Sequence, residues 1–159
     1  MAIELNKLAI NCRKLINELP FIIENLLTSD EALKLINANI DSWNKGLKPN
    51  QEPIENKFTQ STWYSQTWER ERKRKGLKTD HFYLQYTGDF AKSLVFDIVI
   101  IDNIVHMYIV SNDDEDKKRE LFKMFGEDII GVPKDALDNF ISWFKNQLLI
   151  KIKQTIFAV

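Results

Sequence analysis

Two long apolar runs stand almost side by side in this chain and constrain its fold more than any other feature. Residues 94–101 read Leu-Val-Phe-Asp-Ile-Val-Ile-Ile and residues 104–110 read Ile-Val-His-Met-Tyr-Ile-Val, with only Asp102 and Asn103 between them. Runs rich in β-branched residues favour strands, and a two-residue connection of this type is typical of a tight antiparallel hairpin. The sequence therefore predicts a β-hairpin near residues 94–110.

A two-residue turn also predicts the register of that hairpin. Ile101 is expected opposite Ile104, and the pairs Val99 with His106, Asp97 with Tyr108 and Val95 with Val110 follow on the same face. The other face is wholly apolar and is expected to lie on helices. It carries Leu94, Phe96, Ile98, Ile100, Val105, Met107 and Ile109.

The first face is more apolar than a solvated sheet face usually is. Its apolar residues are Val95, Val99, Ile101, Ile104 and Val110. Because water disfavours such a surface, we expect another subunit to cover it.

Helical periodicity frames the hairpin on both sides. Apolar residues from Leu5 recur at three-and-four spacing, with Pro20 as a kink, and a second, shorter helix is expected between a Thr28–Glu31 capping box and Gly46. The last helix follows Pro133 and carries a separate apolar line off its main face, formed by Trp143, Ile150 and Phe157. A helix that is apolar on two sides usually lies between two partners, which are either its own core or another subunit.

The predicted fold class is α+β, with a short antiparallel sheet packed against long N-terminal and C-terminal helices. With 159 residues, 44% of them hydrophobic, the chain is long enough for one core. We therefore predict a single domain over residues 1–159. Residues 47–58 contain Pro49 and Pro53 and lack any period, so they are expected to form an extended loop.

Composition excludes several classes of protein. The 22 basic and 23 acidic residues nearly cancel, so a uniformly basic nucleic-acid binder is excluded. Cys12 is the single cysteine, and His81 and His106 are not in a ligand-spaced pair, so neither a disulfide nor a metal site is expected. No nucleotide or acyl-transfer motif occurs. We expect a soluble protein that is not an enzyme, has no cofactor and does not associate with membranes.

The segment from Trp63 to Lys75 combines aromatic residues with a charged helix that is expected to end at Gly76. Its cations Arg70, Arg72, Lys73 and Arg74 are candidates for contact with DNA or a protein partner. The alternative is a solvated helix with its own ion pairs, Glu69 with Lys73 and Glu71 with Lys75.

A turn signal directly precedes the hairpin. A short strand is expected over Phe82–Tyr86, followed by the block Tyr-Thr-Gly-Asp-Phe-Ala-Lys-Ser-Leu over residues 86–94. In that block Gly88 supplies backbone freedom, and short polar side chains can bond nearby backbone groups. Further along are Phe125-Gly126 and Pro133.

This block resembles a motif of the phage virion-morphogenesis or tail-completion family, which carries Thr-Gly-x-Leu/Phe-x-x-Ser-Ile/Leu before a β-hairpin. The matching residues here are Thr87, Gly88, Phe90, Ser93 and Leu94, and then Phe125, Gly126 and Pro133 in the same order. The resemblance covers roughly residues 60–157. There are three departures from the family pattern: Phe90 stands where leucine is common, no threonine follows Phe125-Gly126, and no aromatic residue follows Pro133.

The resemblance implies a structural virion protein of a long-tailed phage, assembled in the host cytoplasm. It would form a ring at the head–tail neck that joins the portal complex to the tail, with portal, adaptor and tail proteins as partners and DNA at most in the lumen. The family brings no catalytic residues. The alternative is a small regulatory or nucleic-acid-associated binding module of a mobile element.

Overall fold

Helices at both ends of the chain flank a single hairpin in the element order. A computed structural model describes residues 5–84, 88–101 and 104–157, without the side chains of Ile100 and Val105. The elements are α1 (Leu5–Leu27), α2 (Asp30–Asn44), α3 (Gln66–Arg74), α4 (Asp89–Lys92), β1 (Leu94–Ile101), β2 (Ile104–Ser111), α5 (Glu115–Phe125), a 3-10 turn (Glu127–Ile129) and α6 (Lys134–Ile156). The α+β prediction, with long terminal helices and a two-stranded antiparallel sheet, is confirmed.

The chain divides into two compact units. One comprises Met1–Lys34 with Leu137–Val159, and the other comprises Leu35–Ala136. We call them the terminal unit and the central unit. The single-domain expectation stays a prediction.

The terminal unit contains α1 and most of α6. Pro20 lies inside α1 without ending it, as expected for a proline that interrupts a helix without shifting its apolar face. The Asn11 side chain donates a hydrogen bond to the carbonyl of Ile156, at 2.9 Å, and so links the two helices near the end of α6. On α6, Phe140 is buried and its ring lies beside those of Trp143 and Phe144.

The start of α2 differs from the sequence prediction. The Ser29 hydroxyl accepts a hydrogen bond from the Ala32 N–H at 3.4 Å, whereas the Thr28 hydroxyl donates back to the Glu24 carbonyl at 2.9 Å. The capping-box prediction is therefore wrong by one residue, because Thr28 is already used by the end of α1. At the other end, Gly46 follows α2 with a φ of 71°.

The core of the central unit is built from side chains of α2, α4, β1, α5, the 3-10 turn and the segments between α2 and α4. Trp43 is fully buried and stacks on Phe90, with ring centroids 5.6 Å apart. The cluster comprises Ile36, Trp43, Ile54, Phe82, Leu84, Phe90, Ala91, Leu94, Phe125 and Ile129. Phe96 and Ile109 of the hairpin pack against it, so the hairpin's inner face meets the core at its open end.

Two buried polar side chains of α2 hold the segment after α5. The Trp43 indole Nε1 donates to the Ile129 carbonyl at 2.7 Å, and the Asn39 amide Nδ2 donates to the same oxygen at 3.2 Å. The Asn39 Oδ1 accepts from the Gly131 N–H, also at 3.2 Å. Because buried backbone groups need partners, these bonds fix the 3-10 turn on α2.

The register of the hairpin is the predicted one. Ile101 pairs with Ile104, Val99 with His106 and Val95 with Val110. β2 runs one residue further than expected, to Ser111. The expected turn at Asp102-Asn103 lies outside the described residues.

The described residues of the predicted strand before the hairpin have no regular secondary structure, and a short helix, α4, directly precedes β1. Phe82, Tyr83 and Leu84 are buried but form no strand, so the strand prediction is wrong there, and residues 85 and 86 lie outside the described part. Burial determines the conformation there: Phe82 and Leu84 belong to the core cluster and Tyr83 lines a cleft described below, and none of the three pairs with a neighbouring strand.

Two segments of the central unit, residues 47–58 and the acidic run after β2, are more ordered than free loops. Residues 47–58 contain an isolated bridge between Leu47 and Pro53, and Ile54 is 1% exposed within the core, so this loop is anchored to the unit. The acidic run after the hairpin begins α5, where the Asp114 carboxylate accepts from the N–H groups of Asp116 and Lys117.

We predict that Trp43→Phe lowers the free energy of unfolding by about 2 kcal/mol, because it removes the bond to the Ile129 carbonyl and leaves a small void. The exposed Trp63 supplies the matched control, and Trp63→Phe should change stability by less than about 0.5 kcal/mol. Urea unfolding followed by circular dichroism measures both. Equal effects of the two substitutions would contradict the role assigned to Trp43.

Candidate functional site

The outer sheet face is the first candidate surface, and we define it as Val95, Val99, Ile101, Ile104 and Val110. The hairpin brings all of these residues together, as the register prediction required. Val99, Ile101 and Ile104 are 37%, 50% and 60% exposed, while Val95 and Val110 are half-buried. Tyr108 on the same face is also exposed. The end of the hairpin nearest its turn is therefore the most exposed and the most apolar part of this face.

The second predicted interface, the line along α6, lies in the terminal unit. Trp143 is half-buried against the ring of Phe140, whereas Ile150 and Phe157 are 45% and 57% exposed. Trp143 thus contributes to the packing of its own helix. Ile150 and Phe157 remain available to a partner.

The residues of the family motif are architectural. Phe90, Leu94 and Phe125 are buried in the core cluster, and Pro133 is buried directly before α6. The Ser93 hydroxyl donates to the Phe90 carbonyl and shares a second hydrogen bond with the Ser111 hydroxyl, each at 2.7 Å. These contacts join α4 to both strands at the open end of the hairpin.

The two glycines of the motif have backbone conformations that other residues rarely adopt. Gly88 has a φ of 81° and directly precedes α4, and Gly126 has a φ of 93° after α5. A Cβ at Gly126 would lie 2.3 Å from Asp128 Oδ1. The motif therefore fixes turns in the chain, and Thr87 lies outside the described residues.

The predicted contact residues of α3 do not form one cationic surface. Arg70 is exposed, and Lys73 and Arg74 are exposed but paired with Glu69 and Glu71. The predicted Glu69–Lys73 pair is confirmed.

Arg72 differs from the other cations of α3 because it is only 3% exposed. Its guanidinium carbon lies 4.6 Å from the centre of the Tyr64 ring and 5.9 Å from that of Tyr83. Its Nε donates to the Lys78 carbonyl at 3.0 Å. Such cation–π and hydrogen-bond contacts hold Arg72 inside the protein, so it is not presented to a phosphate.

An aromatic cleft lies beside Arg72 and is the second candidate surface. Its volume is about 430 Å³. We define the aromatic cleft by its lining residues, which are Asn56, Thr59, Trp63, Tyr64, Ser65, Trp68, Arg72, Phe82, Tyr83, Leu84, Leu121, Met124 and Phe125. Trp63 and Trp68 are 61% and 54% exposed, whereas Phe82, Leu84 and Phe125 are buried. The cleft therefore has tryptophans at its rim and an apolar floor.

A hydrogen-bond network makes one wall of the cleft rigid. The Tyr64 hydroxyl accepts from the Tyr83 N–H at 2.8 Å and donates to the Tyr83 carbonyl at 3.0 Å. The Tyr83 hydroxyl donates to Asp80 Oδ1 at 2.7 Å. Burial, followed by this hydrogen bond, raises the pKa of Tyr83 to about 12, and the same bond lowers the pKa of Asp80.

Sequence reasoning did not find the cleft. Trp63, Tyr64 and Trp68 stand out in the sequence, but Tyr83 and Met124 come from distant segments. Only the density of aromatic residues over 58–68 and 82–86 could have indicated an aromatic surface.

A larger depression of about 1020 Å³ lies along β2 and α5. Its charged lining residues are mostly paired: Lys118 with Glu115, Arg119 with Asp116 and Lys123 with Glu120. It offers mixed charge and no convergent set of free groups.

The two histidines lie in different surroundings. The His81 Nδ1 lies 3.4 Å from Asp80 Oδ2. The ring of His106 stacks on that of Tyr108 on the hairpin. Within the described ranges, no three His, Cys, Asp or Glu side chains are grouped so that they could hold a metal ion. None of the described helices combines the length and the apolar character needed to cross a membrane.

No protein-family model, curated protein or solved structure matches this chain. The phage-family assignment therefore remains a prediction from the motif and its order.

We predict that Arg72→Ala lowers the free energy of unfolding by about 3 kcal/mol, because it removes a buried cation–π contact and leaves the Lys78 carbonyl without this donor. Arg70→Ala, on the exposed side of the same helix, should cost less than about 0.5 kcal/mol. Chemical denaturation compares the two variants. A loss for Arg72 as small as that for Arg70 would contradict the buried role.

A second prediction concerns Tyr83, because its raised pKa makes the free energy of unfolding depend on pH in the alkaline range. A raised pKa means that the protonated phenol is favoured in the folded state, so its contribution to stability is complete below pH 10 and is lost as the pH rises towards about 12. Burial also raises the pKa of Tyr64, so late ionisation of two phenols is expected. Absorbance titration should show that Tyr83→Phe lowers the amplitude of the late ionisation and that Tyr108→Phe leaves it unchanged. Asp80→Asn should shift part of the late ionisation to lower pH. A late amplitude that is undiminished in Tyr83→Phe would refute the assignment.

Proposed function

We propose that this chain is a non-enzymatic structural subunit that assembles with copies of itself into a ring at the head–tail neck of a long-tailed phage, where it joins the portal complex to the tail. The observation that carries the proposal is the outer sheet face. Its residues Val99, Ile101 and Ile104 are exposed on a two-stranded sheet whose other face already meets the core.

The physical reason is the cost of leaving such a face in water. Complete burial of an aliphatic side chain is worth about 1.5–3 kcal/mol, so three half-exposed β-branched residues represent several kcal/mol that a partner could gain. A hairpin of two strands also has little stability of its own. Contact with a neighbouring subunit would both bury the apolar side chains and stabilise the hairpin.

A ring follows when one patch of a subunit binds a different patch on the next and the rotation closes.

The neck location is supported by the order of the motif residues from Thr87 to Pro133, as given by the sequence. The burial of Phe90, Leu94 and Phe125 agrees with a motif that maintains a fold. The motif contains no residue to which a catalytic role is assigned.

The binding-module alternative has less support. Nucleic-acid affinity depends on cations that are free to replace counterions, and here Arg72 is buried while Lys73 and Arg74 are paired with carboxylates. The net charge of the whole chain is −1. Of the four candidate cations of α3, this leaves Arg70 as the one that is exposed and outside the ion pairs with Glu69 and Glu71.

We predict that the purified protein forms a ring-sized oligomer, alone or once portal-complex proteins are added, and that the paired substitution Ile101→Thr and Ile104→Thr reduces assembly at least tenfold. Threonine keeps strand propensity but removes apolar surface. The control is Ile10→Thr with Ile16→Thr, since these isoleucines of α1 are at least as exposed as Ile101 and Ile104. Light scattering gives the masses. A protein that stays monomeric in both conditions would overturn the proposal.

A further inference from the structure

The outer edge of β2 carries backbone groups without partners, and we infer that it pairs with the same edge of a second copy of this chain. The two β2 strands would run antiparallel with Met107 opposite Met107, so that two hairpins form one four-stranded sheet. This contact uses the edge of the strand and not the outer sheet face. It therefore goes beyond the proposed ring and does not depend on it.

The ladder between the two strands shows which backbone groups of β2 point away from β1. Directly beyond the strands, the Ser93 carbonyl accepts a hydrogen bond from the Asn112 N–H at 2.9 Å. Hydrogen-bonded and non-hydrogen-bonded pairs alternate along an antiparallel ladder. Counted back from that bond with the observed register, Ile109 and Met107 belong to non-hydrogen-bonded pairs. Their N–H and C=O groups therefore point to the outer edge of β2.

The chain itself leaves most of this edge open. Lys118 Nζ of α5 donates to the Ser111 carbonyl at 3.1 Å and so occupies the last outward group of β2. No described residue bonds to the outward backbone groups of Met107 or Ile109. The depression of about 1020 Å³ borders Ile109, Val110 and Ser111, so there is open space beside the strand. A row of unpaired N–H and C=O groups is a template for a further strand.

Charge favours a second copy as the partner and β2 as the edge that it uses. Exposed strand edges are usually protected by charged side chains or by proline. Residues 104–111 contain no Lys, Arg, Asp, Glu or Pro, whereas Asp97 lies in the middle of β1. A symmetric contact brings every charge of an edge close to its own copy, and like charges on facing strands destabilise a sheet. An uncharged edge such as that of β2 has no such cost when it pairs with itself.

The outer side chains of β2 also match those of a second copy. With Met107 on the twofold axis, Ile104 lies opposite Val110 of the second copy, and His106 lies opposite its Tyr108. Ile104 and Tyr108 are exposed in the single chain, and the rings of His106 and Tyr108 already lie parallel, with centroids 6.2 Å apart. Aromatic and β-branched cross-strand pairs stabilise sheets.

The pairing also strengthens the hairpin itself. A sheet of two strands is marginally stable alone, and pairing makes it a sheet of four. A twofold contact closes at two copies. Because the new strand lies in the plane of the sheet, the outer sheet face of each copy stays free for the proposed ring contact.

The test is disulfide trapping between two variants, both made in a Cys12→Ser background. One carries His106→Cys and the other carries Tyr108→Cys. In the proposed register these positions face each other in a non-hydrogen-bonded pair, with Cα atoms about 4.5 Å apart, which a disulfide can span. Mixed in a glutathione redox buffer, the two variants should give a covalent heterodimer. Each variant alone should give at least tenfold less covalent dimer, because its cysteine then faces a native residue.

A mismatched mixture is the control for the register. His106→Cys with Val110→Cys is two residues out of line in the proposed pairing, so it should give at least tenfold less heterodimer than the matched mixture. A higher yield from the mismatched mixture would overturn the register centred on Met107.

A second measurement tests the backbone hydrogen bonds at the edge. Met107→Pro removes an outward N–H but no bond of the hairpin's own ladder, so it should lower the heterodimer yield at least tenfold when both variants carry it. Ile98 is the residue paired with Met107, and Ile98→Pro removes an outward N–H from β1 in the same way. It is the matched control and should leave the yield unchanged, and circular dichroism compares the folding of the two proline variants.

The outcomes separate this contact from the ring. A heterodimer from the matched mixture without any ring-sized particle supports the β2 pairing and overturns the proposed function. A ring without the heterodimer overturns the β2 pairing and leaves the proposed function in place. Equal losses in Met107→Pro and Ile98→Pro would overturn the assignment to the edge of β2. Loss of the heterodimer when portal-complex proteins are added would show that another chain occupies the edge, and would overturn the second copy as its partner.

Discussion

The contact on which the central unit depends is the clamp between α2 and the segment after α5. Trp43 and Asn39 both donate to the Ile129 carbonyl, and Asn39 also accepts from Gly131. The bonded residues are separated by 86 to 92 positions, so the bonds close a long loop that contains α3, the hairpin and α5. With that loop closed, Phe125 is held in the core, and it forms part of the floor of the aromatic cleft.

The same packing produces the outer sheet face and the aromatic cleft. The inner hairpin face is used by the core only near Leu94, Phe96 and Ile109, which leaves the turn end exposed. Arg72 is held between Tyr64 and Tyr83 and supports one wall of the cleft. The exposed end of the hairpin and the aromatic cleft thus arise from a single core, and hydrogen bonds of the Ser93 and Tyr64 hydroxyls lie beside each of them.

Sequence reasoning succeeded where the structure is determined locally. The hairpin register followed from a two-residue connection, and the end of α3 followed from Gly76, because both depend on residues that are neighbours in the chain. It failed for Phe82–Leu84 and for α5. In the first case burial, not pairing, determines the conformation. In the second, the helix begins in an acidic run, where the Asp114 carboxylate accepts hydrogen bonds from two backbone N–H groups.

The sequence by itself determined that an antiparallel hairpin with an apolar outer face exists, since alternation along a strand assigns each side chain to a face. It also determined the long terminal helices from their periodicity. Only the tertiary structure decided which of four similar cations on α3 is buried, and that Trp63, Tyr83 and Met124 line one cleft. The physical reason is that burial and cavity shape depend on contacts between distant segments, which no local pattern records.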